Sequence, residues 1–570
     1  MPAISAKTKT LFFVTSPRTP DRMIRDMELL TTNFAGETWY GNRKLQTDFM
    51  HLRDREMGFD PERAPRKDPA LSARDLINRA PKAYGFVDLD EIKLTAAGDA
   101  YVNSELRGEA LLRQLLKFQL PSPFHRPQQQ DPDRFWVKPF LEILRLIEHF
   151  GTLTFDEVKI FGMQLTDYRK FSDVVKKINN HRLEKAKNQG QYKKFIGDVL
   201  NREVKAIYAE ELSRGQYQVR ESPEKSESNF LKTKKSNLRD YTDACFRYLK
   251  ATGLVDYSQV GYSISIADGK KREVEFILEN VDREPVYVDN PVAYKKHLFD
   301  ASKPALLTDN KREILRQLED YSIVDTSDKS LVELKLELLL AKERKLEGLV
   351  AEEVRRIKNY EDYDDIQNTF DRIVKSEFYD NPLMLEWNTW RAMTMIDGGE
   401  IEGNFLLDDA GKPRTTAAGG LADIVCKYDN FDLMVEVTLQ RGQKQYDNEG
   451  EPVARHLGRH KIASGRPTYC LFIAPTLNKA TIAYFYQLHH LHIDHYGGKS
   501  VIVPLELGVF RKLVEDSMKV SYTPNSRHIE AIFKESQRLA DRRISEVEWH
   551  HAIQTYALSW LDGGEKLLEA

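Results

Sequence analysis

The run ADIVCKYDNFDLMVEVTLQ, residues 422–440, constrains this chain more than any other stretch. Asp429 and Asn430 suit the centre of a two-residue hairpin turn, because both tolerate the left-handed backbone that such turns require. A turn there pairs Tyr428 with Phe431, Lys427 with Asp432, Cys426 with Leu433, Val425 with Met434, Ile424 with Val435 and Asp423 with Glu436. Strand side chains alternate, so one face is wholly apolar, through Ile424, Cys426, Tyr428, Phe431, Leu433 and Val435. The other face carries Lys427 beside Asp432 and ends on two opposed carboxylates. A slip of one residue would turn these charges into the apolar face, so the register is strongly specified.

Directly opposed strand residues lie about 5 Å apart, where two carboxylates repel by about 3 kcal/mol at an effective dielectric of about 20. A divalent cation converts that repulsion into binding, and Mg²⁺ takes such hard oxygen ligands together with phosphate and water. Upstream, NPLMLEWNTWRAM reads as a helix with Pro382 at its start. Leu383, Trp387, Trp390 and Thr394 form its apolar stripe, with Glu386 at the edge. An acid among tryptophans needs a partner or a function, and the helix directly precedes the hairpin.

The surrounding pattern is mixed: a helix over 382–396, strands over 403–407, 421–428 and 432–440, a helix over 453–463, a strand over 468–474, a helix over 477–490 and a strand over 500–506. With 570 residues, more than one domain is expected. The 85 Lys and Arg against 88 Asp and Glu give a net charge of −3, so any attraction to nucleic acid must come from local patches. Cys245, Cys426 and Cys470 are far apart, which excludes a disulfide framework and a thiolate zinc site and fits buried thiols in a reducing cytosol. No apolar run is long enough for a signal peptide or membrane span, so a cytoplasmic protein with no membrane association is expected.

The first half is mainly helical, with three segments in which helices lead into short strands. In 72–102 a helix ends near Tyr84 and Gly85, short strands follow, and Thr95 starts a helix. In 135–161, Phe140, Ile143, Leu144 and Ile147 share a helical face, Gly151 stops the helix, and Thr154 with Glu157 marks a capping box. In 237–278 a helix leads to a hairpin whose loop is expected to carry Lys270, Lys271 and Arg272; Lys234, Lys235 and Arg239 lie in KTKKSNLR just before the helix. This order suits winged helices, which place one helix in the DNA major groove and reach phosphates with the wing and flanking Lys and Arg. In RHLGRHK, Arg455 and His456 are further candidates for phosphate contact.

Asp423, twelve intervening residues and Glu436-Val437-Thr438, preceded by helical Glu386, resemble the PD-(D/E)xK nuclease core. EVTLQ and the following RGQKQYDNEGEPVARHLGRH, 441–460, are similar to the AlwI family of type IIS restriction endonucleases, which includes nicking large subunits of heterodimeric enzymes. The resemblance extends over most of the chain. It implies a multidomain protein: a mainly α, winged-helix recognition region over 1–278, a linker over 279–310, and over 311–570 a helical lead-in with an α/β PD-(D/E)xK-type cleavage domain. The implied activity is Mg²⁺-dependent cleavage of double-stranded DNA outside a short asymmetric site. Asp423, Glu436, the Val437 carbonyl and Glu386 would hold the metal. Thr438 stands where the general motif has lysine; the AlwI-type pattern then brings a fourth acid, Glu449, beside Glu386, Asp423 and Glu436 as catalytic residues. Cutting both strands implies a transient homodimer or a small catalytic subunit, and a chain acting alone would be a strand-specific nickase. A non-catalytic winged-helix regulator with a degenerate nuclease domain is the alternative outside enzymes.

Overall fold

In the computed structural model, Thr154 and Glu157 exchange both hydrogen bonds of the expected capping box, and Gly151 ends the preceding helix at a φ of +68°. The structure describes residues 8–562 except 58–60, 63–65, 125–133, 189–191, 220, 259–261, 324–327, 397–398, 409 and 417–420. Residues 417–420, which lead into the hairpin, and the turn of the hairpin near 260 lie outside that set. The fold mixes helix and sheet, and the chain divides into two units, Met1–Ala341 and Lys342–Ala570.

In the first unit, α1 (Pro69–Ile77) and α2 (Ala80–Ala83) lead to the short strands β1 (Val87–Asp88) and β2 (Lys93–Leu94), and Thr95 caps α3 (Ala96–Val102). After α4 (Arg107–Lys117) come α5 (Pro139–Phe150), β3 (Thr152–Thr154) and α6 (Phe155–Ile160). Further on are α7 (Glu227–Ala251), β4 (Val255–Ser258), β5 (Ser263–Ile266) and α8 (Lys271–Asn280). The strands form one antiparallel sheet in the order β3-β5-β4, with Leu153 opposite Ile264. Segments 135–161 and 237–278, expected as separate units, are therefore two halves of one, with the helices Phe171–Lys187 and Tyr192–Ile207 between them.

Three local expectations change here. The run 232–239 lies inside α7 and not before it, and Lys270, Lys271 and Arg272 sit at the start of α8 and not in a hairpin loop. The segment read as a linker, 279–310, contains α9 (Pro291–Phe299) and is tied to α4 and α5. Buried Lys117 donates to the carbonyls of Leu298 and Asp300 at 3.0 and 2.7 Å, at the C-terminal end of α9 where a cation is favoured, and Arg283 pairs with buried Glu142.

The second unit is built on a five-stranded sheet. Its elements are α10 (Asn381–Ile396), β6 (Glu400–Gly403), β7 (Ile424–Lys427), β8 (Asp432–Val437), α11 (Gln443–Ser464), β9 (Thr468–Ala474), α12 (Lys479–Leu488) and β10 (Ile502–Glu506). Strand order is β10-β9-β8-β7-β6, with β8, β9 and β10 mutually parallel and β7 antiparallel to both its neighbours. The hairpin has the expected register: Lys427 faces Asp432, Cys426 faces Leu433, Val425 faces Met434 and Ile424 faces Val435.

Both faces of this sheet are covered. Ile424, Cys426, Leu433 and Val435 pack with Trp387 and Trp390 of α10 and with Phe510, Phe533 and Trp549 from C-terminal helices. On the other side Met434, Cys470 and Phe472 pack with Val453, Ala454 and Leu457 of α11 and Phe485 of α12. All three cysteines are buried and none forms a disulfide. From Leu383 to Ile396 every residue of α10 is buried, so the stripe expected on this helix is a full circumference, the mark of a helix enclosed on all sides.

Candidate active site

Four acids line one cavity of about 460 Å³: Glu386 of α10, Asp423 just before β7, Glu436 of β8 and Glu449 of α11. His456 lines it too. The hairpin register brings Asp423 to the end of β7 beside Glu436, and Asp423 Oδ2 accepts a hydrogen bond from the Val437 N–H at 2.8 Å. Seven residues are two helical turns, so Glu449 and His456 share the face of α11 that looks into this cavity.

Burial decides the electrostatics. It pushes the Asp423 carboxyl well above the ordinary carboxylate range, the charges of Glu436 and Glu449 add to the shift, and the Val437 N–H opposes it. Burial, then Glu449, raises Glu436 in the same way. Glu449 is raised by burial too, against the Thr438 hydroxyl that donates to its Oε1 at 2.8 Å. His456 Nδ1 lies 2.8 Å from Glu436 Oε1. Burial, with Arg455 and Arg459 nearby, pushes this imidazole down to about 4, so it is neutral at neutral pH.

Carboxyls that resist ionisation because they are dry and face one another are stabilised as anions by a hard cation, which supplies the missing positive charge. The oxygen donors here fit Mg²⁺ in that sense. Among the described residues, however, no group of three or more His, Cys, Asp or Glu is disposed to hold a metal ion by itself. The four acids share a cavity without forming a closed chelate.

The basic candidates are scattered. Arg455 is buried with its Nε 3.1 Å from Glu451, and His456 faces Glu436; the expected phosphate contacts by these two residues are revised accordingly. Lys234 is buried, with Nζ 4.8 Å from the centre of the Tyr208 ring, which revises its expected role on DNA. Lys235 donates to Asn201 at 2.9 Å, and Lys270 pairs with Glu273 at 2.6 Å. Arg239, Lys271 and Arg272 are exposed, with Arg272 3.1 Å from Glu313. Lys427 and Asp432 are register partners but pair elsewhere: Lys427 with Glu402 at 2.7 Å, Asp432 with His460 at 2.8 Å and with Arg466 at 3.1 Å.

The contact of His456 with Glu436 is the site feature the sequence reading missed. Its signal was the seven-residue spacing from Glu449, visible only to a reader who continues the helix through Pro452.

No curated protein matches the chain. Among solved structures, the small subunit of the heterodimeric restriction endonuclease R.BspD6I is 26% identical over 35% of this chain and 98% of that one, with a TM-score of 0.28. The AlwI restriction endonuclease family matches residues 83–513, from the first unit through the whole acidic cavity. The chain therefore belongs to the AlwI restriction endonuclease family and is a site-specific deoxyribonuclease.

Proposed function

We propose that the chain hydrolyses phosphodiester bonds of double-stranded DNA with Mg²⁺, outside a short asymmetric site, in the manner of a type IIS enzyme with a PD-(D/E)xK-type core. The observation that carries this reading is the placement of Asp423 directly before, and Glu436 directly after, the last register pair Ile424 and Val435 of the hairpin, inside a cavity shared with Glu386 and Glu449. Asp423, Glu436 and the Val437 carbonyl are the residues that would hold the metal, with Glu386 lining the same space. When bound, Mg²⁺ supplies a Lewis acid for the scissile phosphate.

The chain's own groups do the rest. The Val437 N–H holds Asp423, and His456 holds Glu436, so both carboxylates are oriented before DNA arrives. Glu449, whose carboxyl burial makes a stronger base than an exposed one, accepts a proton from the water that attacks phosphorus as the 3′ oxygen leaves. Recognition is assigned to the first unit. The order α5-β3-α6-α7-β4-β5, with sheet order β3-β5-β4, supports the winged-helix reading, and α7 takes the place of the groove-reading helix. Exposed Arg239, Lys271 and Arg272 are its remaining candidates for phosphate contact.

Asp423→Asn removes one anion without altering shape. Plasmid cleavage in Mg²⁺ should fall on the order of a thousandfold while DNA binding in a gel shift persists. A variant that cuts at the wild-type rate would sink the assignment. Sequencing fragment ends from the wild-type enzyme gives the recognition site and the cut offset together.

A second reading, a strand-specific nickase, is favoured by the single Asp423 and Glu436 pair in each chain. A small catalytic subunit or a transient second copy would then cut the other strand.

A further inference from the structure

Where a lysine would stand at position 438, the structure has a chain of neutral hydrogen bonds. Thr438 Oγ1 accepts from the Gln440 N–H at 3.1 Å, which turns its own proton away, and it donates that proton to Glu449 Oε1 at 2.8 Å. Gln440 Nε2 donates to the same oxygen at 3.1 Å. Asn448 in turn donates to Gln440 Oε1 at 2.7 Å, which fixes which end of the amide faces Glu449. The Gln440 backbone is held as well: its carbonyl accepts from buried Gln445 at 2.9 Å, and Gln445 also donates to the Thr476 carbonyl at 2.9 Å.

We propose that Gln440 is a positioning residue of the cleavage reaction, acting through Glu449, with Asn448 setting its orientation. The inference rests on the role given to Glu449 above. A glutamate on three rotatable bonds loses freedom when two donors grip it, and both donors fall on Oε1. The hydrogen-bonded oxygen is the weaker base, so Oε2 is left as the proton acceptor. Thr438 and Gln440 thereby give a fixed direction to an acid, where lysine would have given a charge.

The test is a double-mutant cycle on single-turnover plasmid cleavage in saturating Mg²⁺, with DNA affinity measured in parallel. Gln440→Leu should slow cleavage about 10–100-fold, the usual cost of losing a group that orients a site residue. DNA affinity should stay within about threefold, and in a Glu449→Gln background the same change should cost less than about threefold, because coupled residues are not additive. Asn448 is exposed, so Asn448→Asp leaves the interior intact. It should turn the Gln440 amide over, set its carbonyl against Glu449 and slow cleavage, with no further effect once Gln440 is Leu. Equal losses in both Glu449 backgrounds, or full activity in Gln440→Leu or Asn448→Asp, would overturn the proposal. A Glu449→Gln enzyme that cuts at full rate overturns the role of Glu449 itself, which separates the two failures.

Discussion

At the residue scale, the acids of the cavity tie folding to pH and to cation. Asp423, Glu436 and Glu449 hold protons more tightly folded than unfolded. Unfolded carboxyls titrate at about 4, so above that pH the unfolded chain binds fewer protons than the folded one, and stability falls until the folded carboxyls have ionised. His456, pushed down to about 4, works in the opposite sense, but only up to the unfolded imidazole value of about 6.5. In thermal melts without divalent ions, these carboxyls are therefore expected to lower the stability of the second unit as pH rises above about 4, with His456 offsetting part of the loss up to about 6.5. Added Mg²⁺ should restore it, with a larger gain at higher pH. Glu436→Gln removes one of the paired charges, so it should flatten the pH dependence and abolish most of the Mg²⁺ gain. A melt of Glu436→Gln that keeps the wild-type response to Mg²⁺ would argue that the cation binds elsewhere.

At the scale of elements, α11 shows why the hairpin was legible and its neighbour was not. The hairpin's register follows from alternation alone, since only one pairing keeps the charges off the apolar face. The helix after it was expected over 453–463, just past Pro452, a residue that lacks an N–H and clashes with the preceding turn of a helix. It in fact starts at Gln443, with Pro452 inside, and ends at Gly465 in the left-handed region. Gln445 and Gly450 are buried along with Val453, Ala454 and Leu457, so packing against the sheet outweighs the break. Tertiary contact, which no local pattern reports, is what makes Glu449 helical and brings His456 beneath it. Gly458 shows how closely this helix is seated: a Cβ there would meet the Tyr496 backbone at 2.5 Å. Gly458→Ala should push α11 off that segment and cost about 1–3 kcal/mol, as overpacking does. Because α11 carries Glu449 and His456, the cleavage rate should fall along with the melting temperature. A melt lowered to this degree with an unchanged cleavage rate would show that the two site residues do not depend on the seating of this helix.

At the scale of the whole molecule, the two units differ in how far sequence could describe them. In the second, the hairpin and the two parallel strands after it were visible as apolar runs, while the edge strand expected over 403–407 lies at Glu400–Gly403; the hairpin register sets Asp423 and Glu436, and the helices α10 and α11 bring Glu386 and Glu449 to the same cavity. In the first, β3 and β5 pair across more than a hundred residues, and the helices between them have no periodicity that says to which sheet their flanks belong. Lys234 marks the same limit, since a lysine-rich run gives no sign that one member lies over aromatic rings. The count of acid pairs has a kinetic consequence. If the Asp423 and Glu436 pair cuts one strand at a time, as proposed above, a chain acting alone should turn supercoiled plasmid into open circles at a rate first order in protein. Linear product, if a second copy supplies the other cut, should lag and rise more steeply than linearly with protein concentration. If a different subunit supplies it, open circles should persist at any concentration of this chain alone. Linear DNA formed without an open-circle phase, at a rate proportional to protein, would instead require both cuts from this acidic cavity within one binding event.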